Sequence, residues 1–450
     1  MLQRMTGTTP PLKIAVIGSG ISGLSAAWLL SKKHDVRLYE TDSRPGGHSN
    51  TVVAETAMGP VPVDTGFIVF NEVTYPNLTA LFKHLDVKTV DTEMSFAVSL
   101  DHGKLEYSGT DLAGIFAQKS NLVNLRFLSM LRDILRFYRE APADLELMGL
   151  ESLDSYLDRK GYGRAFRDDH LYPMAAAIWS TPAGSVGAYP AKSFVRFCEN
   201  HGLLKVSGRP IWKTVKGGSR NYVNRMLSEI GERPRLNCGV HKIVRQPHGV
   251  SVIDETGQSE IFDHVVLACH ADQALAMIAR PTPSEQSILG AFRYSVNEAV
   301  LHSDRRLMPK RKRAWSSWNY LADRSRADAL SVTYWMNRLQ GIDPNNPLFL
   351  SLNPLTDPDP AQVHYRVTYE HPMFDHHAIS AQQRLWSLQG HGGVWFAGAY
   401  FGAGFHEDGL QAGLAVAEQL GDVRRPWSVA NESGRIVLGD HADAEAMAAE

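Results

Sequence analysis

Three kinds of hydrophobic pattern alternate along this chain, and each predicts a different kind of element. Short apolar runs, Ile14 to Ile17, Val36 to Tyr39, the HVVLACH stretch from His264 to His270 and Val394 to Ala397, are too brief for helices. They suit strands of a parallel sheet buried on both faces. Around Arg235 to Arg245, Val250 to Ile253 and Glu260 to Phe262 the runs and turns predict a β-meander. From Asn71 to Arg209 the spacing changes to helix-length amphipathic segments. Within Leu112 to Glu140, the residues Leu122, Leu125, Leu128, Leu131, Leu135 and Tyr138 recur every three or four positions and predict a helical stripe. Lys119, Arg126, Arg132, Arg136 and Arg139 supply its polar side. Two environments suit such a helix. Either the leucines face a core and the cations face water, or the leucines enter an anionic membrane interface with the cations near phosphates. Leu171 to Pro190 is apolar but broken by proline and glycine, so it predicts an interrupted segment in which Met174, Ile178 and Trp179 are candidates for a tunnel wall. From Ala291 to Glu370 the period falls to two, and VNEAVLH, ALSVTYWM, PLFLSLN and VHYRVTYE predict an antiparallel sheet. Trp318, Tyr320, Tyr334, Trp335 and Tyr365 are its candidate cavity walls.

The chemistry begins where the first strand ends. Gly18, Gly20 and Gly23 form G-x-G-x-x-G between that strand and a helix starting near Ser22. The first glycine makes the turn, the second admits a pyrophosphate against the backbone, and the third lets helix and strand pack closely. Ile21 and Ser22 open the helix whose free N–H groups would hold the phosphates. Glu40 closes the next strand about 20 residues on, where a carboxylate accepts from ribose hydroxyls and repels a 2′-phosphate. The ligand is therefore NAD-like or FAD rather than NADP. Arg44, Gly46 and Gly47 follow as R-x-G-G.

That extended fingerprint resembles the FAD-dependent amine oxidase and carotenoid desaturase superfamily. A second stretch, GVWFAGAYFGAGFHEDGLQAGLAVAEQL from Gly393 to Leu420, resembles the superfamily's other FAD motif. The resemblance covers nearly all of residues 12 to 422. It implies an α/β fold with a Rossmann-like FAD-binding domain of the glutathione reductase and amine oxidase type. This domain is discontinuous, comprising 12–70, 210–284 and 385–422, and interleaved with an α+β substrate domain of 71–209 and 285–384. Residues 1–11, which lack the apolar core of a signal peptide, and 423–450 are expected to be flexible or to wrap the surface. By the same resemblance His48, Ser49, Asp64, Thr65 and Gly66 approach the flavin, Val240 meets adenine, and Gly398, Phe405, His406, Glu407 and Leu410 belong to the second motif. His406 is the first candidate for a proton acceptor and His48 the second.

Phrases such as GFHEDGLQAGLAVAE, WSSWNYLA and VTYWMNRLQGI resemble a bacterial group of predicted NAD/FAD-binding oxidoreductases linked to fatty acyl modification, often beside a partner methyltransferase. The resemblance implies a lipid acyl substrate and either desaturation or double-bond isomerisation, by hydride transfer to the flavin. Amine or amino acid oxidation is the alternative. It is disfavoured by Phe405, which stands where many amine oxidases have a tyrosine, and by the want of a lysine suited to partner a flavin-bound water. A further alternative is an accessory protein that binds flavin and lipid without turnover.

Composition narrows these classes. A net charge of −2 over 450 residues gives no reason to expect nucleic acid. Cys198, Cys238 and Cys269 are far apart and form no C-x-x-C pair, which points away from a disulfide framework or zinc site and fits a reducing cytoplasm. His364, His371, His376 and His377 cluster in sequence but lack a closed ligand set, so no metal is expected. Without a run of eighteen apolar residues, the expected location is cytoplasmic, with peripheral contact on the inner face of a membrane if the leucine helix lies there.

Overall fold

The computed structural model describes residues 10–149, 151–179, 183–200, 202–205, 208–325 and 330–439. Strand Lys13–Ile17 sits inside a four-stranded parallel sheet in the order Val394–Phe396, His264–Leu267, Lys13–Ile17, Asp35–Tyr39. Its members come from three distant parts of the chain. Ile14, Ala15 and Val16 are fully buried, which is why these runs show no polar alternation.

Helix Ile21–Leu30 is buried on every side. It packs on the sheet, on helix Arg220–Ile230 and on the C-terminal helix His406–Gly421. Small residues make that crossing close: a Cβ on Gly413 would run into the Ser22 carbonyl and the Ser25 hydroxyl. The meander forms as Val240–Gln246, Gly249–Asp254 and Ser259–Phe262, its first strand starting later than the sequence pattern predicts.

The second core surrounds a seven-stranded sheet in the order Val363–Met373, Arg293–His302, Phe349–Leu352, Leu330–Trp335, Trp318–Ala322, Phe96–Leu100, Leu105–Ser108. All its pairings are antiparallel except that of Trp318–Ala322 with Phe96–Leu100. The last two strands lie in the stretch whose spacing predicts helices. Their hairpin turns at Asp101, His102 and Gly103, all with positive φ, a conformation for which only the glycine is an obvious sequence signal.

Within Leu112 to Glu140, the expected stripe breaks into a short helix Leu112–Ile115, a 3₁₀ turn Lys119–Val123 and a long helix Leu125–Asp144. The face that enters the core is Phe127, Met130, Ile134, Phe137 and Ala141. Leu122, Leu125, Leu128 and Leu135 point outward. Two stripes with the same period compete here, and the aromatic one, with more area to bury, takes the core.

Leu171 to Pro190 is interrupted as predicted, with helices Tyr172–Trp179 and Ala183–Val186. The side chain of Trp179 lies outside the described residues, as do residues 1–9 and 440–450 of the termini. His376 and His377 open a short helix capped by Asp375. Among the described residues no group of three or more His, Cys, Asp or Glu is arranged to hold a metal ion. Nor is any described helix long and apolar enough to cross a membrane.

Candidate active site

A cavity of about 1460 Å³ runs from the glycine turn at Gly18 to the outer helix Leu125–Asp144. Its inner limb is lined by Ile17 to Ser22, Glu40, Gly47, Cys238 to Val240 and Ala268 to His270. The strand ends build this limb. Gly18 adopts φ +99°, and a Cβ there would come within 2.7 Å of the Ala268 carbonyl oxygen. Gly20 is different, because a Cβ on it would meet no atom within 4 Å and would point into open space. The N-terminus of helix Ile21–Leu30 carries no side-chain cap, so its first N–H groups face the cavity unspent. Glu40 accepts from the Ser19 backbone N–H at 3.0 Å and the Ser19 hydroxyl at 2.5 Å through one oxygen, which holds the carboxylate at the cavity edge. A glycine with empty space before it, an uncapped helix terminus and an acid at the ribose position fit an ADP group.

The middle chamber is lined by His48, Thr65 to Phe67, Tyr369 to His371, Gly398 and Gly404 to His406. His48 is half-buried, with its Nε2 out of solvent, and stacks on Tyr369 with ring centroids 4.7 Å apart. Its Nε2 has no hydrogen-bond partner among the described residues. Burial, reinforced by the nearby His371 and His270, holds its pKa well below the ordinary range, so it is neutral. His406 stacks on Phe67 at 3.9 Å, and its Nε2 lies 2.7 Å from the Tyr222 hydroxyl, which also bonds the Ser49 hydroxyl. Burial pushes His406 down to about 3. His371 Nδ1 accepts from Asn297 Nδ2 at 3.0 Å, and His270 Nδ1 lies 3.2 Å from Glu370.

Several residues singled out in the sequence lie behind the wall rather than on it. Asp64 accepts from Thr51 Oγ1 (2.6 Å), the Ser219 N–H and hydroxyl (2.9 and 2.7 Å) and Gln340 (2.8 Å), and burial raises it to about 6. It ties the hairpin Thr51–Asp64 to the start of helix Arg220–Ile230. Glu407 accepts from the N–H groups of Asn77 and Leu78, capping helix Pro76–His84. Arg44 donates to the Gly47 carbonyl at 2.8 Å. Gly23, Gly46, Ser49 and Leu410 are likewise absent from the lining, whereas Gly18, Gly20, Ile21, Ser22, Glu40, Gly47, His48, Thr65, Gly66, Val240, Gly398, Phe405 and His406 are part of it.

Sequence reasoning missed Tyr222, Phe67, Tyr369 and the His270–Glu370 pair, and weighed His371 only as a metal ligand. No spacing could have revealed them, since Tyr369, Glu370 and His371 come from strand Val363–Met373, Phe67 and His270 from separate loops, and Tyr222 backs His406 from helix Arg220–Ile230. The outer limb is mostly apolar: Phe116, Leu131, Ile134, Met174, Ile178 and Phe197 line it with Trp318 and Tyr334. Tyr320, Trp335 and Tyr365, also expected as walls, are outside the lining. The Tyr107 hydroxyl lies 3.0 Å from His170 Nδ1, and burial pushes His170 down to about 4.

Residues 21–341 match the family model described as flavin containing amine oxidoreductase. The chain belongs to this family. As in other flavin-containing members of this family, the cofactor is FAD. AofH of Mycobacterium tuberculosis, provisionally named a flavin-containing monoamine oxidase, is 26% identical over 293 residues, or 62% of this chain and 62% of its own length. Two solved structures share the architecture. A fatty acid isomerase from P. acnes superposes with a TM-score of 0.65 at 14% identity, covering 92% of this chain and 99% of that one. Putrescine oxidase, solved bound to putrescine, gives 0.65 at 15% identity over the same shares. At such identities the likeness concerns the fold.

With the family placed, the residues fall into roles. Glu40, Gly20 and the helix terminus after it would hold the ADP half of FAD, and the chamber around His48 and His406 would receive the flavin half.

Proposed function

We propose that this chain takes a hydride from an activated C–H bond of a lipid acyl chain, leading to desaturation or double-bond isomerisation. The supporting observation is the outer limb of the cavity, a long apolar passage that ends at the chamber where the two FAD motifs meet. Among the described residues its charged lining side chains are Asp111 and Arg209, both exposed, so an extended hydrocarbon would meet no described charged side chain along the buried stretch. An ammonium group there would be desolvated without a partner.

When bound, FAD supplies the two-electron acceptor. The protein orients the chain, excludes water and provides a site for the proton released in desaturation. His48 is better suited to that site than His406, because its Nε2 is unpartnered while the Nε2 of His406 is engaged by Tyr222.

A second reading, amine oxidation, draws on the family and on Glu370, a carboxylate in the middle chamber that could pair with an ammonium. Anaerobic mixing separates the two. Bleaching of the flavin absorbance by an unsaturated or methyl-branched acyl lipid, with a desaturated or isomerised product in the extract, is the expected result. Bleaching by amines alone would make the protein an amine oxidase, and lipid binding without bleaching or product would make it a carrier.

A further inference from the structure

We propose that the face bearing Leu122, Val123, Leu125 and Leu128 docks this protein on an anionic phospholipid bilayer, delivering the acyl chain from the membrane into the cavity. The proposal rests on the acyl reading above. Of the fifteen large hydrophobic residues exposed among the described residues, six lie between Leu112 and Leu135. Val123 and Leu125 are 82% and 81% exposed. Leu125, Leu128 and Leu135 share one side of the long helix, falling within an arc of about 80° at 3.6 residues per turn. Leu112 and Leu135 belong at once to this exposed set and to the cavity lining, so the patch rims the cavity mouth.

The charges complement an anionic surface. Arg132 and Arg139 lie on the same side of the helix as the leucines and are 73% and 77% exposed. The acids that pair with these two arginines sit deeper than the arginines themselves: Asp133, beside Arg132, is 2% exposed and Glu140, beside Arg139, is 26% exposed. On this side of the helix the guanidinium groups therefore reach further into solvent than their counter-charges. Apolar side chains that can enter the acyl boundary, with guanidinium groups at headgroup level, are the arrangement of an interfacial helix.

The test is co-sedimentation of the full, FAD-loaded chain with vesicles of phosphatidylcholine alone and of phosphatidylcholine with phosphatidylglycerol. Retention on the anionic vesicles, weakened by salt and by omission of phosphatidylglycerol, is expected. The double variant Val123→Asp/Leu125→Asp should lower retention about tenfold or more, with its melting temperature and flavin spectrum kept because both side chains project into solvent. Arg132→Glu/Arg139→Glu should abolish the preference for anionic vesicles. The proposal is overturned if the parent chain fails to sediment with either vesicle, or if the aspartate variant sediments as the parent does. It is also overturned if that variant instead converts a dimer to a monomer in light scattering, which would make the patch a self-interface. Vesicle binding without turnover of any acyl lipid supports docking and sinks the substrate reading. Turnover of detergent-dispersed acyl lipid without vesicle binding does the reverse.

Discussion

Gly20 and Gly23 stand three positions apart, yet their substitution should have opposite consequences. A methyl on Gly23 would collide with the Gly18 carbonyl oxygen, whereas one on Gly20 would meet nothing in the protein and would occupy the space open to a pyrophosphate. Gly20→Ala is expected to leave the unfolding midpoint of the apoprotein nearly unchanged while weakening FAD retention by about tenfold or more, near 1.4 kcal/mol per factor of ten. Gly23→Ala is expected to destabilise the apoprotein by about 1–3 kcal/mol, as overpacked sites do. Urea titrations of the two apoproteins with flavin fluorescence titrations would check this. Equal loss of stability in both would remove the argument for a phosphate cradle. The histidines carry a similar lesson. His48 and His406 were legible as candidates, but which one has a nitrogen to spare depends on Tyr222 from a distant helix.

Among the elements, the C-terminal helix and the segment after it are the least replaceable. Asp408 is fully buried near the N-terminus of that helix, accepting from the N–H groups of Ala403 and Phe405 and pairing with Arg435 at 2.5 Å. Residues 423–439 do not merely trail away. Arg425 is buried against Glu418 and Asn77, and Trp427 stacks on Trp28 at 5.7 Å. Arg435→Leu leaves a buried carboxylate without its cation and should cost about 3–5 kcal/mol in urea unfolding. Arg132→Leu removes an exposed cation and leaves the buried Asp133 with the Gly163 N–H and Arg136, so it should cost under about 1 kcal/mol. The polar composition of this tail predicts a flexible or surface-wrapping segment, because its anchors are single Arg and Trp residues with no periodicity.

For the whole molecule, buried neutral histidines set the response to acid. His170, His302 and His371 are pushed down to about 4, and His406 to about 3, from an ordinary 6.5, in each case chiefly by burial. Between pH 6.5 and 4 the unfolded chain therefore binds protons that the folded chain refuses. Their contribution is complete above pH 6.5 and is lost as pH falls. Asp64, raised by burial to about 6 from 3.8, acts oppositely, gaining a proton in the folded state as pH falls through 6. Glu407, also raised by burial, shares that sign. Asp168 is raised by burial too, while His48 joins the lowered histidines, so five histidines outweigh three acids and the urea midpoint of the apoprotein should fall steadily from pH 6.5 to 4.5. A flat midpoint over that range would mean that these side chains are hydrated in solution.

The amino-acid sequence by itself determined the parallel sheet, the glycine turn, the acid at Glu40 and both FAD motifs. These depend on neighbours within a few tens of residues, where chain geometry leaves few alternatives. It also determined the antiparallel character of Ala291 to Glu370, through the period of two. Only the tertiary structure decided which stripe of the long outer helix enters the core, because two stripes share one period and the winner depends on what each can bury. It alone brought Tyr369, His371, Tyr222 and Phe67 around His48 and His406, since strand register and helix docking set those distances across 184 residues of chain or more.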